Sequence, residues 1–160
     1  MAAEFTGIAQ KLQNAIRSDQ VLRAALSTTF AVHKPRIFEQ GFNAKGSKMG
    51  TYSTNPISIA ANKQARNTGR TYFKGGYSEY KSAIGKNPGF VNLRNTDQMM
   101  GDYSIIGGGG SFGFGFHNNE NYEKSQWMED KYGGGIFDLS SYEENVLAET
   151  LTNLIYAQLG

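Results

Sequence analysis

The chain has 160 residues, long enough for one domain with a real core. Its apolar fraction of 39% and charged fraction of 19% are both modest, glycine is abundant at twenty residues, and cysteine is absent, which excludes a disulfide framework and thiolate metal ligation. The net charge of +2 hides a split: residues 31–95 hold eleven Lys and Arg against two acids, whereas residues 96–160 hold ten acids against two lysines. Such a split suits a nucleic-acid face, or subunits that meet head to tail with one end basic and the other acidic.

The opening MAAEFTGIAQKLQ lacks a basic start followed by an apolar run, so no signal peptide is expected. No window approaches the roughly 18 apolar residues of a membrane span. A soluble protein with no membrane partner is expected. In chain order, Ile8, Leu12, Ala15 and Ile16 form one helical stripe, and Val21, Leu22, Ala25 and Leu26 form a second. Ser18-Asp19 between them reads as an N-cap, and Pro35 should kink or end the second helix, leaving Arg36-Ile37-Phe38 as a short continuation. Residues 41–76, rich in Gly, Ser, Thr, Asn and Lys, read as an extended basic arm within a single domain 1–160, with one short strand at Pro56-Ile57-Ser58-Ile59. An arm of this composition buries little of its own apolar surface, so a neighbouring molecule is expected to order it.

Residues 76–84 read as a short helix closed by Gly85, with Tyr77, Tyr80 and Ile84 on one face. A turn at Asn87-Pro88-Gly89 follows, then a helical turn near Met99 and Met100 capped by Thr96 or Asp97 and stopped by Gly101. GGGGSFGFGF, residues 107–116, separates two strand-like runs and predicts a hairpin. Phe112, Phe114 and Phe116 would line its core face, and Gly113 and Gly115 suggest that a backbone or helix packs on the other. Asn118 or Asn119 caps a helix that Gly133 to Gly135 ends. The run Ser140-Ser141-Tyr142-Glu143-Glu144 offers two capping-box spacings at the start of a last helix, whose stripe is Val146, Leu147, Leu151, Leu154, Ile155 and Leu159. The fold class predicted is α+β, a small antiparallel or mixed sheet flanked by N- and C-terminal helices with a long irregular arm. Its core is expected from Ile8, Leu12, Leu22, Leu26, Phe112, Phe114, Phe116, Trp127, Leu147, Leu151 and Leu154.

Catalytic signatures are weak. Residues 108–113 match G-x-G-x-x-G by letter, but a strand follows where a dinucleotide site needs a helix N-terminus. Residues 41–48 miss the P-loop because the lysine is displaced and no hydroxyl residue follows it. The two histidines, His33 and His117, stand apart, and no G-x-S-x-G elbow occurs. We therefore expect no enzyme, cofactor or metal. Tyr52, Tyr72, Phe73, Tyr77 and Tyr80 interleave with Lys and Arg, which supports an alternative: a small nucleic-acid-binding protein using residues 41–94.

The stretch 72–106 carries an ordered set of short motifs: Gly75-Gly76-Tyr77, Tyr80-Lys81, Gly85-Lys86, Val91-Asn92-Leu93, and Thr96 with Met99 or Met100. Downstream come Gly115-Phe116, Glu129-Asp130-Lys131-Tyr132-Gly133 and Phe137-Asp138-Leu139; upstream, Arg36-Ile37-Phe38 and Gly50-Thr51-Tyr52-Ser53. In this order the motifs resemble the tail-completion and neck proteins of tailed bacteriophages, the virion morphogenesis family. The resemblance covers residues 36–144, with one departure: Asp97 stands where the family usually has glycine after the threonine. It implies a structural virion protein that forms a ring at the head–tail junction, assembled in the host cytoplasm. The partners implied are further copies of itself, portal- or adaptor-side connector and tail proteins, and DNA passing through the lumen. Together with the charge split it gives an expected interface of Lys45, Lys48, Tyr52, Arg66, Arg70 and Lys74 on the basic side. On the acidic side stand Glu143, Glu144 and Glu149.

Overall fold

A computed structural model describes residues 10–15, 17–60 and 69–159; Ile8, Ile16 and Arg66 lie outside them. Residues 10–15 are helical and precede α1, Asp19–Phe38, where the Ser18 hydroxyl accepts the Val21 N–H at 3.4 Å as an N-cap. Then follow β1 (Ile57–Ala60), β2 (Arg70–Phe73), α2 (Gly76–Ala83), α3 (Gln98–Asp102), β3 (Tyr103–Gly108), β4 (Ser111–Phe116), α4 (Asn119–Tyr132) and α5 (Ser141–Leu159). The architecture is α+β, with helices at both ends flanking the strands. The expected single sheet is two separate antiparallel hairpins, β1–β2 and β3–β4. None of the described helices is long and apolar enough to cross a membrane.

The glycine run does form a hairpin. Gly109 and Gly110 turn it with φ of +62° and +84°, the paired left-handed geometry that matches strand twist in a two-residue loop. The register pairs Tyr103 with Phe116 and Ile105 with Phe114, so these side chains share the face that meets α1, where the Phe114 ring stacks on His33 at 4.8 Å. On the opposite face a Cβ at Gly115 would lie 2.4 Å from the Ile106 side chain, while Gly113 meets nothing within 4 Å. Within 4 Å the group covering Gly115 is thus one isoleucine of the partner strand.

The core gathers at the C-terminal end of α1: Ile37, Phe38, Met49, Val91, Met99, Tyr103 and Ile136, with Phe30, Phe114, Phe116 and Phe137 packed against it. This corrects the core expected from helical stripes. Leu26 is buried, but Leu22, Phe112, Phe114, Phe116, Leu147, Leu151 and Leu154 are only half-buried, and Leu12 is exposed. Among the described residues α5 packs chiefly on α1, so its stripe is covered from one side. Trp127 is 54% exposed, because α4 turns Asn121 and Ser125 inward and carries the indole on its outer side. Pro35 does not end α1. The helix continues to Phe38 because burial of Ile37 and Phe38 and the bonds of Arg36 anchor its last turn, with the N–H groups of Glu39 and Gln40 both donating to the Pro35 carbonyl at 2.9 Å.

The arm is not structureless either. Its first part folds on its own chain: Met49 enters the core, its N–H donates to Gly41 O at 2.9 Å, Ala44 N–H reaches Gly135 O at 2.8 Å, and Val91 N–H reaches Gly50 O at 2.9 Å. Further on, Ile57–Ala60 pairs with Arg70–Phe73, a strand that sequence reading passed over.

Candidate functional site

Among the described residues two constellations bury charge, and they differ in kind. The first is a clamp between α1 and α5. Ser140 and Glu143 form the expected capping box: Glu143 N–H donates to the Ser140 hydroxyl at 3.3 Å, and Ser140 N–H donates to the Glu143 carboxylate at 2.7 Å. The carboxylate also accepts from Arg36 Nε at 2.8 Å and from His33 Nδ1 at 3.1 Å. A carboxylate only accepts, so His33 carries its proton on Nδ1, and Nε2 accepts from the Tyr103 hydroxyl at 2.8 Å. The other Arg36 nitrogens donate to the carbonyls of Phe42, Ile136 and Asp138. Burial holds His33 below its ordinary pKa, against the pull of Glu143. Burial pushes Glu143 up, but the bonds from Arg36, Ser140 and His33 together outweigh it and leave the carboxyl below its usual range.

The second is an open cleft of ≈ 730 Å³ between α2, the base of the β1–β2 hairpin and α4, a size in the range of ligand pockets. Its geometry begins at Gly76, where φ is +70° and a Cβ would come within 2.5 Å of Asn55 O and 2.6 Å of Ser53 O. Only glycine lets the chain at 53–55 lie directly on the start of α2. That contact sets Tyr52 against Tyr77 at 5.3 Å between ring centroids, while Tyr80 turns to Phe73 of the hairpin. The Tyr52 hydroxyl donates to Asn92 Oδ1 at 3.2 Å. Burial pushes the Tyr77 hydroxyl up to about 12.

At the inner end of the cleft stands Lys81, 1% exposed. Its ammonium donates to Arg94 O and lies 5.0 Å from the Tyr52 ring and 5.7 Å from the Tyr77 ring. No carboxylate among the described residues bonds it. Desolvation, helped by the nearby Lys86, pulls it down to about 8. The acid nearby, Asp97, is already engaged by Arg94 at 2.8 Å and by Lys86, which hold it well below the carboxylate range. The far wall belongs to α4: Trp127, Met128, Lys131 and Tyr132, with Lys131 Nζ 4.4 Å over the indole. Among the described residues the lining contains two lysines and no carboxylate.

The structure brings most of the motif positions to this cleft or its supports. Gly76, Tyr77, Lys81, Leu93 and Tyr132 stand at or beside it, and Asn92 holds Tyr52 in place. Gly85 and Gly133 close α2 and α4 with φ of +69° and +92°. Glu129 accepts the N–H groups of Ile136 and Phe137, each at 2.9 Å, and so ties the end of α4 to the core. Met99 is a core residue, whereas Thr96 is exposed and makes no cap. Tyr80 faces the hairpin instead of the cleft.

The expected interface residues differ in their settings, and Arg66 lies outside the described residues. Lys45, Arg70, Lys74, Glu144 and Glu149 are exposed. Lys48 is held on its own chain by Gln40 O at 2.7 Å and by the Phe90 and Phe42 rings. Tyr52 is a cleft wall. Glu143 is corrected outright: at 1% exposure and with three partners, it is an internal clamp, not a surface acid. Sequence reading missed Trp127 and Lys131 as a cleft wall, although their i, i+4 spacing could have placed the ammonium near the ring. Among the described residues no group of three or more His, Cys, Asp or Glu side chains is gathered as a metal ligand set. No protein-family model, curated protein or solved structure matches this chain.

Proposed function

We propose that this chain is a structural protein of a tailed-phage virion, a ring-forming neck or tail-completion component at the head–tail junction. The observation that carries the reading is convergence. Motifs that resemble the virion morphogenesis family are scattered along the sequence, yet Gly76, Tyr77, Lys81, Asn92, Leu93 and Tyr132 meet around one cleft. The one departure points the same way. Asp97, at the position where the family usually has glycine, adopts a φ of +60°, a left-handed conformation that glycine takes without strain.

Charge supports assembly. Residues 40–78 contain no acid, and residues 132–160 contain no Lys or Arg. Segments of opposite charge favour a heterologous contact between copies, which closes into a ring if the rotation allows. The partners are then other copies of the chain, connector proteins on the portal side and tail proteins, with DNA in the lumen. The exposed Tyr72 between Arg70 and Lys74 keeps nucleic-acid binding as the second reading.

Size-exclusion chromatography with light scattering tests the choice, run on the chain alone, with purified virion connector proteins, and with DNA. A closed multimer, or a monomer that assembles onto the connector, is the expected result. A monomer that ignores the connector but binds DNA with a steep salt dependence would replace this reading with the second one.

A further inference from the structure

The cleft and α5 complement each other, although α5 does not line the cleft of its own chain. α5 contains no basic side chain, and Tyr142, Glu149 and Tyr156 recur on it every seven residues. That spacing places the three along one side of the helix, roughly 21 Å from end to end at 1.5 Å per residue. All three are exposed, the tyrosines at 66% and 70%. The result is an aromatic ridge with a carboxylate at its centre, turned away from the side that packs on α1. Among its described residues the cleft offers the opposite set: apolar and aromatic walls, an exposed Trp127, and two cations with no acid.

We infer that the cleft between α2 and α4 receives the Tyr142–Glu149–Tyr156 ridge of α5 from a second copy of the chain. This rests on the ring reading and gives it an interface: Glu149 faces Lys131 at the rim, and the tyrosines lie against Trp127, Met128 and the wall around Ile57. Because ridge and cleft are different surfaces of one chain, every copy has both a donor and an acceptor side, the head-to-tail arrangement a ring needs. A helix ridge in an aromatic groove with a matched central charge is a recurrent recognition mode. The basic hairpin is then a neighbour of the contact and not its centre.

The test is a charge swap on the full chain, read by sedimentation across concentration and by a photo-crosslinking residue at position 127. Lys131→Glu and Glu149→Lys should each weaken self-association by roughly tenfold or more, and the double variant should recover most of it. The crosslink should map to α5 of another copy. Circular dichroism and melting of each variant confirm that the monomer stays folded, as exposed positions allow. Wild-type assembly that ignores both reversals, or a crosslink that lands on a connector protein, would overturn this interface while leaving the ring in place. A wild-type chain that stays monomeric, alone and with the connector, would overturn the ring reading itself.

Discussion

Among its described residues this chain buries two cations, Arg36 and Lys81, and treats them in opposite ways. Arg36 meets a carboxylate and three carbonyls, and the acid it meets is itself the cap of α5. Lys81 meets one carbonyl and two ring faces, beside an open cleft that holds no acid among its described residues. A buried charge costs several kcal/mol unless partners repay it. A cation satisfied from within the chain belongs to the fold. One left short of a counter-charge next to open space marks a surface shaped for something else.

The largest effect of a substitution is expected at the clamp. Arg36→Met leaves Glu143 buried with only His33 and Ser140, and should cost about 3–5 kcal/mol in urea denaturation; a loss below about 1 kcal/mol would mean the clamp is dispensable. Gly76→Ala attacks the frame of the cleft, through a left-handed φ and a collision with Asn55 O. A loss of about 1–3 kcal/mol is expected, together with loss of assembly.

Acid sharpens the difference. His33 has a lowered pKa in the fold, so below its ordinary 6.5 the unfolded chain binds the proton more readily and stability falls. Glu143, also lowered, adds a loss further down as the pH passes through its folded pKa. Stability should therefore decline from about pH 6.5 downward, and His33→Gln should flatten the first part of that decline. Lys81 has the opposite window. Between about 8, its value in the fold, and 10.5, the unfolded chain holds more protons, so its contribution to stability rises with pH. Lys81→Met should remove that rise and leave stability at pH 7 unchanged or up by about 1 kcal/mol. The smallest effect on folding is expected from Trp127→Ala, below about 0.5 kcal/mol because the indole is exposed, although this change should abolish self-association.

What could be read from the sequence was local. Ser18, Asn118 and Ser140 cap as their side chains suggested, Gly133 ends α4, and the glycine run turns a hairpin. Each depends on a few neighbouring residues and on backbone geometry that only certain side chains tolerate. What stayed hidden depends on distant chain. Arg36 and Glu143 are 107 residues apart, and no local pattern couples them. Trp127 looks like core by hydrophobicity, but its burial is decided by which face α4 turns inward. Pro35 breaks a helix only when nothing holds the turn beyond it. The cleft was partly legible: its motif residues were visible as a resemblance, while the place of Lys81 at its inner end and of Lys131 at its rim required the two walls to be seen together.

The most direct test is the molar mass of the chain in solution, measured by light scattering over a wide concentration range for the wild type and for Trp127→Ala. The wild type should rise to a closed multimer, alone or on connector protein, while the variant remains a folded monomer. A wild type and variant that assemble alike would contradict the docking surface, and a wild type that remains a monomer throughout would contradict the ring.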